Sequence, residues 1–242
     1  MRYAIIADIH ANLEACEAVL EAIDRENVDA FICLGDIVGY GADPSRVIEI
    51  TARLNPVMVA GNHDLAAAGA REISGSTPSA RAAIEWTRDR LTEREKRFLK
   101  ELPLVWRESF VAAHGSPHHP ERFDYVSGLS AARSAFSSFG AGACCFIGHT
   151  HAARIFVRDE AGGITCDPLP ELKISKKCSY IINPGSVGQP RDSDPRAAYA
   201  IFDEERSLVQ LKRVTYDIDK ACRKIIDAGL PQILGERLRL GK

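Results

Sequence analysis

The stretch Arg2-Tyr-Ala-Ile-Ile-Ala-Asp8-Ile-His10-Ala-Asn12 begins as an apolar run and becomes polar at Asp8. The run from Arg2 to Ala7 predicts a buried strand. Asn12 is a suitable helix cap, and apolar residues recur behind it at helical spacing, at Leu13, Cys16, Val19, Leu20 and Ile23. The stretch therefore predicts a strand, a polar loop and a helix, the unit from which parallel α/β folds are built.

The chain repeats this unit. Residues 30–34 form a second apolar run, Asp43-Pro44 supplies a cap and a first-turn proline to a second helix, and residues 57–60 predict a third strand. Because crossovers of this kind are right-handed and produce parallel strands, the loops that follow the three strands should meet at one edge of the sheet.

The rest of the chain no longer repeats the unit of strand, loop and helix. One helix is predicted to open at Thr77-Pro78, and a capping box of Thr92 and Glu95 predicts a second that ends near Pro103, within a helical insertion at 72–102. Asp217 is expected to cap a last helix that ends at Gly229. Short strands are predicted at 110–113, 145–148, 154–158, 180–183, 197–202 and 208–214, with a hairpin turn at 162–163.

Composition limits the function classes. The 242 residues, 45% hydrophobic and 26% charged, are typical of a globular protein and exclude disorder, collagen and coiled coil; we expect a single domain over 1–242. A net charge of -2 argues against binding to duplex nucleic acid, and the mildly basic tail at 220–242 is interpreted as a solvated helix face. No apolar run is long enough for a membrane span. The seven cysteines contain no C-x-x-C pair, which predicts buried reduced thiols and a cytoplasmic protein.

Side chains that bind metals follow the predicted strands. They include five of the seven histidines, and the set is Asp8, His10, Asp36, Asn62, His63, Asp64, His114, His149 and His151. Asp8 and His10 are two residues apart and can share one cation. His149 and His151 have the same spacing, and would flank a pair of ions if each faces a different one. Asp36 is the best candidate for a bridge, because a carboxylate has two oxygens.

Oxygen and imidazole ligands without cysteine favour manganese, iron or zinc, with magnesium less favoured. Two divalent ions bring four positive charges, whereas Asp8 and Asp36 supply two negative ones. The remaining charge suits a small phosphate-containing substrate. Two ions about 3.5 to 4 Å apart can also hold a bridging hydroxide for in-line displacement at phosphorus.

The blocks Asp8-Ile9-His10, Gly35-Asp36, Gly61-Asn62-His63-Asp64, His114-Gly115 and Gly148-His149-Thr150-His151 resemble those of the calcineurin-like metallophosphoesterases. They occur in the expected order. The segment from Asn183 to Arg191, Asn-Pro-Gly-Ser-Val-Gly-Gln-Pro-Arg, extends the resemblance to the small bacterial and archaeal phosphodiesterase-like members.

The resemblance implies a four-layer α/β/β/α sandwich of two mixed sheets flanked by helices, with two divalent ions at one edge. It implies that Asp8, His10 and His151 hold the first ion, that Asn62, His114 and His149 hold the second, and that Asp36 bridges them. His63 would stay unligated and protonate or stabilise the leaving oxygen, while Asp64 orients it.

Other residues keep two interpretations. Asn12 either contacts a phosphate oxygen or caps its helix. Arg191 either clamps a phosphate or forms a surface ion pair with Asp192 or Asp194. His118 and His119 either contact the substrate near the second ion or belong to a solvated loop.

These observations predict a dinuclear-metal hydrolase of phosphoric esters or anhydrides, acting on a small nucleotide or phosphodiester. Activity of the serine/threonine protein phosphatase kind, and a non-catalytic metal-binding scaffold, are the alternatives. Nuclease action would need a basic channel, for which Arg191 and the tail are the only candidates. The sequence leaves a homo-oligomer open.

Overall fold

The computed structural model of the chain describes residues 1–73, 77–167 and 169–242. The strands are β1 (Arg2–Ile6), β2 (Ala30–Cys33), β3 (Val57–Met58), β4 (Val105–Arg107), β5 (Val111–Ala113), β6 (Cys144–Phe146), β7 (Arg154–Arg158), β8 (Ile164–Asp167), β9 (Glu171–Lys173), β10 (Ser179–Asn183), β11 (Ala197–Asp203) and β12 (Leu208–Val214). The α-helices are α1 (Leu13–Asp24), α2 (Pro44–Arg53), α3 (Asn62–Ala67), α4 (Pro78–Arg90), α5 (Glu93–Glu101), α6 (Leu129–Phe136), α7 (Ile218–Asp227) and α8 (Gln232–Leu240). A short 3₁₀ helix covers Pro120–Arg122.

The strands form two mixed sheets of six. The first has the order β3-β2-β1-β11-β12-β9 and the second β4-β5-β6-β10-β7-β8. The parallel start predicted from the sequence is confirmed, because β1 pairs with β2 and β2 with β3 in parallel register. In the second sheet β5, β6 and β10 are parallel neighbours. Each sheet therefore directs the carboxyl ends of several adjacent strands to one edge.

The side chains of β1 point alternately to its two faces, and this alternation explains how the sheets stack. Tyr3 and Ile5 point to the interface between the sheets, where they join Phe146 and Phe202 in one buried cluster. Ala4 and Ile6 point the other way, into the cluster beneath α1 and α2. Successive side chains of a strand face opposite sides, so a strand that is apolar throughout is buried on both. The fourth layer is α6, which packs on the second sheet through Ala132, Ala135 and Phe136. The predicted four-layer sandwich is confirmed.

Most of the capping residues predicted from the sequence cap their helices in the structure. Oδ1 of Asn12 accepts a hydrogen bond from the Ala15 amide at 3.1 Å. Thr92 and Glu95 form the predicted capping box, and Asp217 caps α7. Asp43 is different. It occupies the cap position of α2, but its side chain makes no capping hydrogen bond and binds Lys224 Nζ at 2.8 Å instead.

Several predicted bounds need correction. The helix capped by Asp217 ends as predicted, because α7 runs to Asp227 and Gly229 follows with φ +74°. It is not the last helix, since the chain turns and forms α8 from Gln232. Pro231 precedes the first turn of α8, where a missing N–H costs nothing. β4, β8, β9, α3 and α6 were not predicted. The insertion at 72–102 contains α4 and α5, while its residues 74–76 lie outside the described residues.

The tail and the cysteines also differ in part from expectation. Lys224, from the tail at 220–242, packs against α1 and binds Glu14 at 2.7 Å, so this stretch is more than a solvated face. Cys178 is half-buried and Cys166 is exposed, which makes the prediction of burial wrong for Cys166. Five cysteines are buried as predicted, namely Cys16, Cys33, Cys144, Cys145 and Cys222.

Hydropathy and helix length were compared with what a bilayer requires. Among the described residues, no helix is both long enough and apolar enough to cross a membrane.

Candidate metal centre and adjoining cleft

The polar residues predicted at the strand ends converge at one edge of the two sheets. Asp8 and His10 follow β1, Asp36 follows β2, and Asn62 opens α3 directly after β3. The second sheet contributes three histidines, of which His114 follows β5 and the pair His149 and His151 follows β6. The stacking of the sheets therefore brings both sets of loops together.

Two groups of ligand atoms result, and Asp36 belongs to both. The first contains Asp8, His10, Asp36 and His151, and the second contains Asp36, His114 and His149, with the ligand atoms of each group within 4.8 Å of one another. Asn62 joins the second group, because its Oδ1 lies 3.2 Å from Nε2 of His114. The carboxylates and imidazoles are buried, and Asn62 is half-buried.

The hydrogen bonds of the imidazole rings test whether these residues fit metal ions. Nδ1 of His10 lies 3.1 Å from the Val38 carbonyl, and Nδ1 of His151 lies 2.6 Å from the Gln189 carbonyl. A carbonyl only accepts, so both Nδ1 atoms carry hydrogen, and in neutral rings both Nε2 atoms then carry lone pairs. These two Nε2 atoms face each other at 3.0 Å. Facing lone pairs repel unless a cation lies between them, so the ring orientations fit metal ligation.

The second group repeats the arrangement. Nδ1 of His114 donates to the Leu34 carbonyl at 2.7 Å, and His149 has a hydrogen bond to the backbone of Phe123. The remaining nitrogens, Nε2 of His114 and Nδ1 of His149, lie 3.1 Å apart. Nε2 of His114 is also 3.3 Å from Oδ2 of Asp36. This group therefore also directs ring nitrogens and a carboxylate to one point.

Electrostatics at the site favour neutral rings at His10 and His151 and an added positive charge. Burial lowers the pKa of His10 and His151 well below the ordinary value, which keeps both rings neutral. Burial and the neighbouring Asp36 raise the pKa of Asp8 to about 7. At His114 burial lowers the pKa, but the Asp36 carboxylate outweighs it and raises the pKa to about 9. The buried carboxylates thus attract a cation to the position between these residues.

The backbone at the site is held in an unusual conformation. Asp8, His10, Asp36, His149 and His151 all have φ between +50° and +67°, in the left-handed region that non-glycine residues rarely adopt. Such residues persist only where the surrounding structure imposes them, and they are concentrated at functional sites. Gly61 is required beside them, because a Cβ atom there would lie 2.1 Å from Oδ1 of Asp36.

With this geometry in view, the chain was compared with known proteins. The family model of the calcineurin-like phosphoesterase superfamily domain matches residues 1–207. The chain belongs to the calcineurin-like phosphoesterase superfamily. The sequence-based resemblance is therefore confirmed.

Similarity to individual proteins extends over the whole chain. A metallophosphoesterase of known structure from Sphaerobacter thermophilus is 40% identical, with 100% of this chain and 99% of that chain covered and a TM-score of 0.89. An uncharacterised protein of Methanocaldococcus jannaschii is 39% identical over 249 residues, which cover 99% of this chain and 98% of that protein. A hypothetical protein from Pyrococcus horikoshii shares the fold, at 21% identity, coverage of 100% and 98%, and a TM-score of 0.79.

In this calcineurin-like phosphoesterase, His63 lies next to both groups without being a member of either. Its ring centroid is 4.9 Å from that of His10 and 4.5 Å from that of Tyr40. The ring is buried, and Nδ1 has no hydrogen-bond partner in the described part of the chain. Its backbone N–H donates to Oδ1 of Asp36 at 2.8 Å, so the position of the ring is coupled to the shared carboxylate.

Asp64 does not orient His63 in the way the resemblance implied. Its Oδ1 accepts from the amides of Ile37 and Val38, at 2.8 and 3.1 Å, and its Oδ2 accepts from the amide of Gly61 at 3.0 Å. The Asp64 carboxylate is therefore used in holding the loop after β2 against the start of α3. Asp64 thus positions the loop carrying Asp36, and a catalytic role for it stays a prediction.

The contacts of Asn12 and of Arg191 bear on the two interpretations that the sequence left open for each. Asn12 caps α1 and donates from Nδ2 to the Gly188 carbonyl at 2.8 Å, so its amide is engaged within the fold and the phosphate contact gains no support. Arg191 lines a cleft beside His63 and His149 and donates to Oε1 of Gln189 at 2.7 Å. The alternative of a surface ion pair is wrong, because Asp192 pairs with Arg213 and Asp194 with Arg196.

His118 and His119 behave as the solvated-loop interpretation predicts. Both are exposed, and their rings pack against each other with centroids 4.4 Å apart. His119 is 3.5 Å from Glu121. Neither residue lines the cleft.

The cleft itself includes residues that the sequence analysis missed. Its volume is about 330 Å³, and its walls include Tyr40, Arg71, Arg122, Phe123, Tyr125 and Arg237. The Tyr125 ring stacks on His149 with centroids 3.9 Å apart and an angle of 9° between the planes, yet 54% of the residue is exposed. The signal that could have found Tyr125 was an exposed aromatic ring beside a polar site. It was not used, because Tyr125 lies in the long segment after His114.

Proposed function

We propose that this protein is a dinuclear-metal phosphoesterase that hydrolyses esters or anhydrides of phosphoric acid, with a small nucleotide or a phosphodiester as substrate. The observation that carries the proposal is the pair of buried ligand groups that share Asp36 and open onto a cleft lined by His63 and Arg191. Family membership supports the class of reaction.

Each group of residues has a task in this proposal. Asp8, His10 and His151 would hold one ion, Asn62, His114 and His149 the other, and Asp36 both. When bound, a pair of divalent ions supplies charge neutralisation and the acidity that makes water a nucleophile. We infer manganese, iron or zinc, because nitrogen and oxygen ligands without thiolate suit these ions.

The residues around the ions act on the substrate. Arg191 would hold phosphate oxygens through the planar guanidinium group, which matches phosphate geometry. His63, outside both ligand groups and in the cleft wall, would give a proton to the leaving oxygen or stabilise its charge. The ligand carboxylates and imidazoles are buried, and burial strengthens the charge interactions among them.

The dimensions of the cleft support a small substrate. A volume of about 330 Å³ is at the lower end of the range for small-molecule sites. The alternatives are a protein phosphatase, whose substrate is a phosphorylated polypeptide, and a scaffold that binds metal without turnover. Both remain outcomes of the experiment below.

The test is hydrolysis by manganese-loaded protein of p-nitrophenyl phosphate, bis-p-nitrophenyl phosphate and diadenosine tetraphosphate, with metal content measured on the same sample. Asp36→Ala is the control for contaminating phosphatase. We expect turnover of at least one substrate by the wild type and none by the variant. Two bound metals without turnover of any of them, or of a phosphopeptide, would favour the scaffold.

A further inference from the structure

The cleft beside the metal ligands carries an excess of positive charge. Four arginines line it, Arg71, Arg122, Arg191 and Arg237, against one carboxylate, Glu72. Arg122 is neutralised by Asp124 at 3.1 Å. In the chain as described, residues 74–76 and 168 aside, no Asp or Glu side chain lies within ion-pair distance of the other three.

Arg191 is the member nearest the metal ligands. Its guanidinium lies over the Tyr40 ring, 5.5 Å from the centroid, and that ring also packs against His10 at 4.6 Å. The backbone N–H of Arg191 donates to the carbonyl of His151, a member of the first ligand group, at 3.0 Å. Arg191 is therefore within electrostatic range of the ligand group, and a phosphate held at the metals would meet it first.

Arg237 reaches the same cleft from a distant part of the chain. It lies on α8, beyond residue 207, where the family match ends. The helix is fixed in place because Leu234 and Leu238 are buried in a cluster that also contains Tyr40. The Nε of Arg237 donates to the Lys242 carbonyl at 2.8 Å. Its other guanidinium nitrogens remain for a ligand in the cleft.

The two arginines affect each other. Burial lowers the pKa of Arg237, and the nearby charge of Arg191 lowers it further. Two like charges that converge without an Asp or Glu side chain between them repel each other, and an anion between them relieves the repulsion. The Lys242 oxygen takes one N–H group of Arg237, and a single phosphate at the metals accounts for no more of this second charge.

We infer that Arg191 and Arg237 form a second phosphate subsite, so that the substrate class is one with a further phosphate group next to the phosphorus that is hydrolysed, as in a nucleoside diphosphate or another phosphoanhydride. The inference rests on the proposed function, since the first phosphate is the one at the metals. It adds a segment outside the superfamily domain to the determinants of specificity.

The test compares two nucleotides that differ by one phosphate group. Binding of AMP and of the methylene-bridged analogue of ADP to manganese-loaded protein is measured by calorimetry for the wild type, Arg237→Gln and Arg239→Gln. Arg239 is a matched control, because it lies on the same helix, is exposed and pairs with Asp219 at 2.8 Å. The wild type should bind the ADP analogue more tightly than AMP.

Arg237→Gln should weaken binding of the ADP analogue by about tenfold, the usual effect of a lost charged hydrogen bond, while AMP changes within about twofold. Arg239→Gln should change neither. Equal losses for both nucleotides, or no loss, would overturn the inference. Hydrolysis of p-nitrophenyl phosphate, bis-p-nitrophenyl phosphate and diadenosine tetraphosphate is measured on the same preparations. Failure of the wild type to hydrolyse any of the three overturns the proposed function, whereas the difference between the nucleotides still decides the subsite.

Discussion

At the scale of single residues, Asp36 and His63 are neighbours with different surroundings. Asp36 belongs to both ligand groups, and its Oδ1 accepts the backbone N–H of His63. The His63 side chain makes no contact of this kind, and its Nδ1 has no partner in the described part of the chain. Metal binding and proton transfer should therefore be separable by substitution at the two positions.

Asp36→Ala should remove metal binding and activity together, because both groups lose the shared carboxylate. His63→Ala should keep both metals and lower kcat by about a hundredfold or more, the usual contribution of a general acid, with the greatest loss for poor leaving groups. Metal content and kcat for p-nitrophenyl and alkyl phosphate esters decide this. A His63→Ala enzyme with the wild-type rate on an alkyl ester would contradict the role.

Much of the candidate site could be predicted from single residues, because the ligand types stand directly at the ends of apolar runs. Asp8 and His10 are an example. The arrangement of Tyr40 over His63 could not be predicted, since it depends on the left-handed φ of Tyr40, +61°. The contribution of Arg237 could not be predicted either, because the sequence of a basic helix does not show which face of the helix a given charged side chain occupies.

At the scale of elements, the loop after β2 and the start of α3 form one unit. The carboxylate of Asp64 connects them through three backbone N–H groups. Gly61 allows their close approach, since any side chain there would strike Asp36. The position of the shared ligand therefore depends on contacts that do not touch a metal.

Asp64→Ala should lower the free energy of unfolding by about 3 kcal/mol, because three buried N–H groups lose their acceptor. It should also weaken metal affinity through the displaced loop. Asp64→Asn retains one acceptor oxygen and should lose less. Urea denaturation and metal titration measure both effects. An alanine variant as stable as the wild type would show that water replaces the carboxylate without cost.

The contact between α1 and α7 should depend on pH. Glu14 forms ion pairs with Lys224 at 2.7 Å and Lys220 at 3.2 Å. Burial raises the pKa of Glu14, but the lysines outweigh it and lower the pKa below 4.5. A carboxyl group with a depressed pKa in the folded state contributes stability above its unfolded pKa and loses it as the pH falls through the folded value.

Glu14→Gln should therefore cost about 1 kcal/mol at pH 7, and the difference from the wild type should shrink as the pH falls below 4.5. Glu17→Gln, at an exposed position on the same helix, is the control and should change stability little. Chemical denaturation of the three proteins across this pH range is the measurement. A difference that stays constant with pH would exclude the carboxylate as its source.

Elements with strong local signals were predicted, and those defined by pairing partners were not. β1 and α1 carry an apolar run and a capping residue within a few positions. β9 has three residues, Glu171–Lys173, and is a strand only because β12 offers its edge. α6 has eight residues and no capping side chain. Such elements are set by tertiary contacts, which a local pattern does not contain.

At the scale of the whole molecule, the candidate metal centre joins the two sheets. The loops of the first sheet supply Asp8, His10, Asp36 and Asn62, and those of the second supply His114, His149 and His151. A ligand that binds only when both sheets are in place stabilises their association. Metal occupancy and the stability of the sandwich should therefore be linked.

Mn²⁺ at about 100 times its dissociation constant should raise the free energy of unfolding by about 2.7 kcal/mol, which for this size of chain is about 5 to 10 °C in Tm. Chelation should reverse the increase. Asp36→Ala should respond to neither. Thermal unfolding with manganese and with chelator measures this, and an equal increase in the variant would place the bound ions elsewhere.

The pairing of β1 with β11 has a consequence for synthesis. Arg2 lies opposite Asp203, so β1 leaves the ribosome about two hundred residues before its partner β11. Until then, one edge of β1 and the apolar face it shares with Phe202 are uncovered. The nascent chain should thus depend on chaperones for most of its translation, and truncation before β11 should yield aggregates instead of a smaller enzyme.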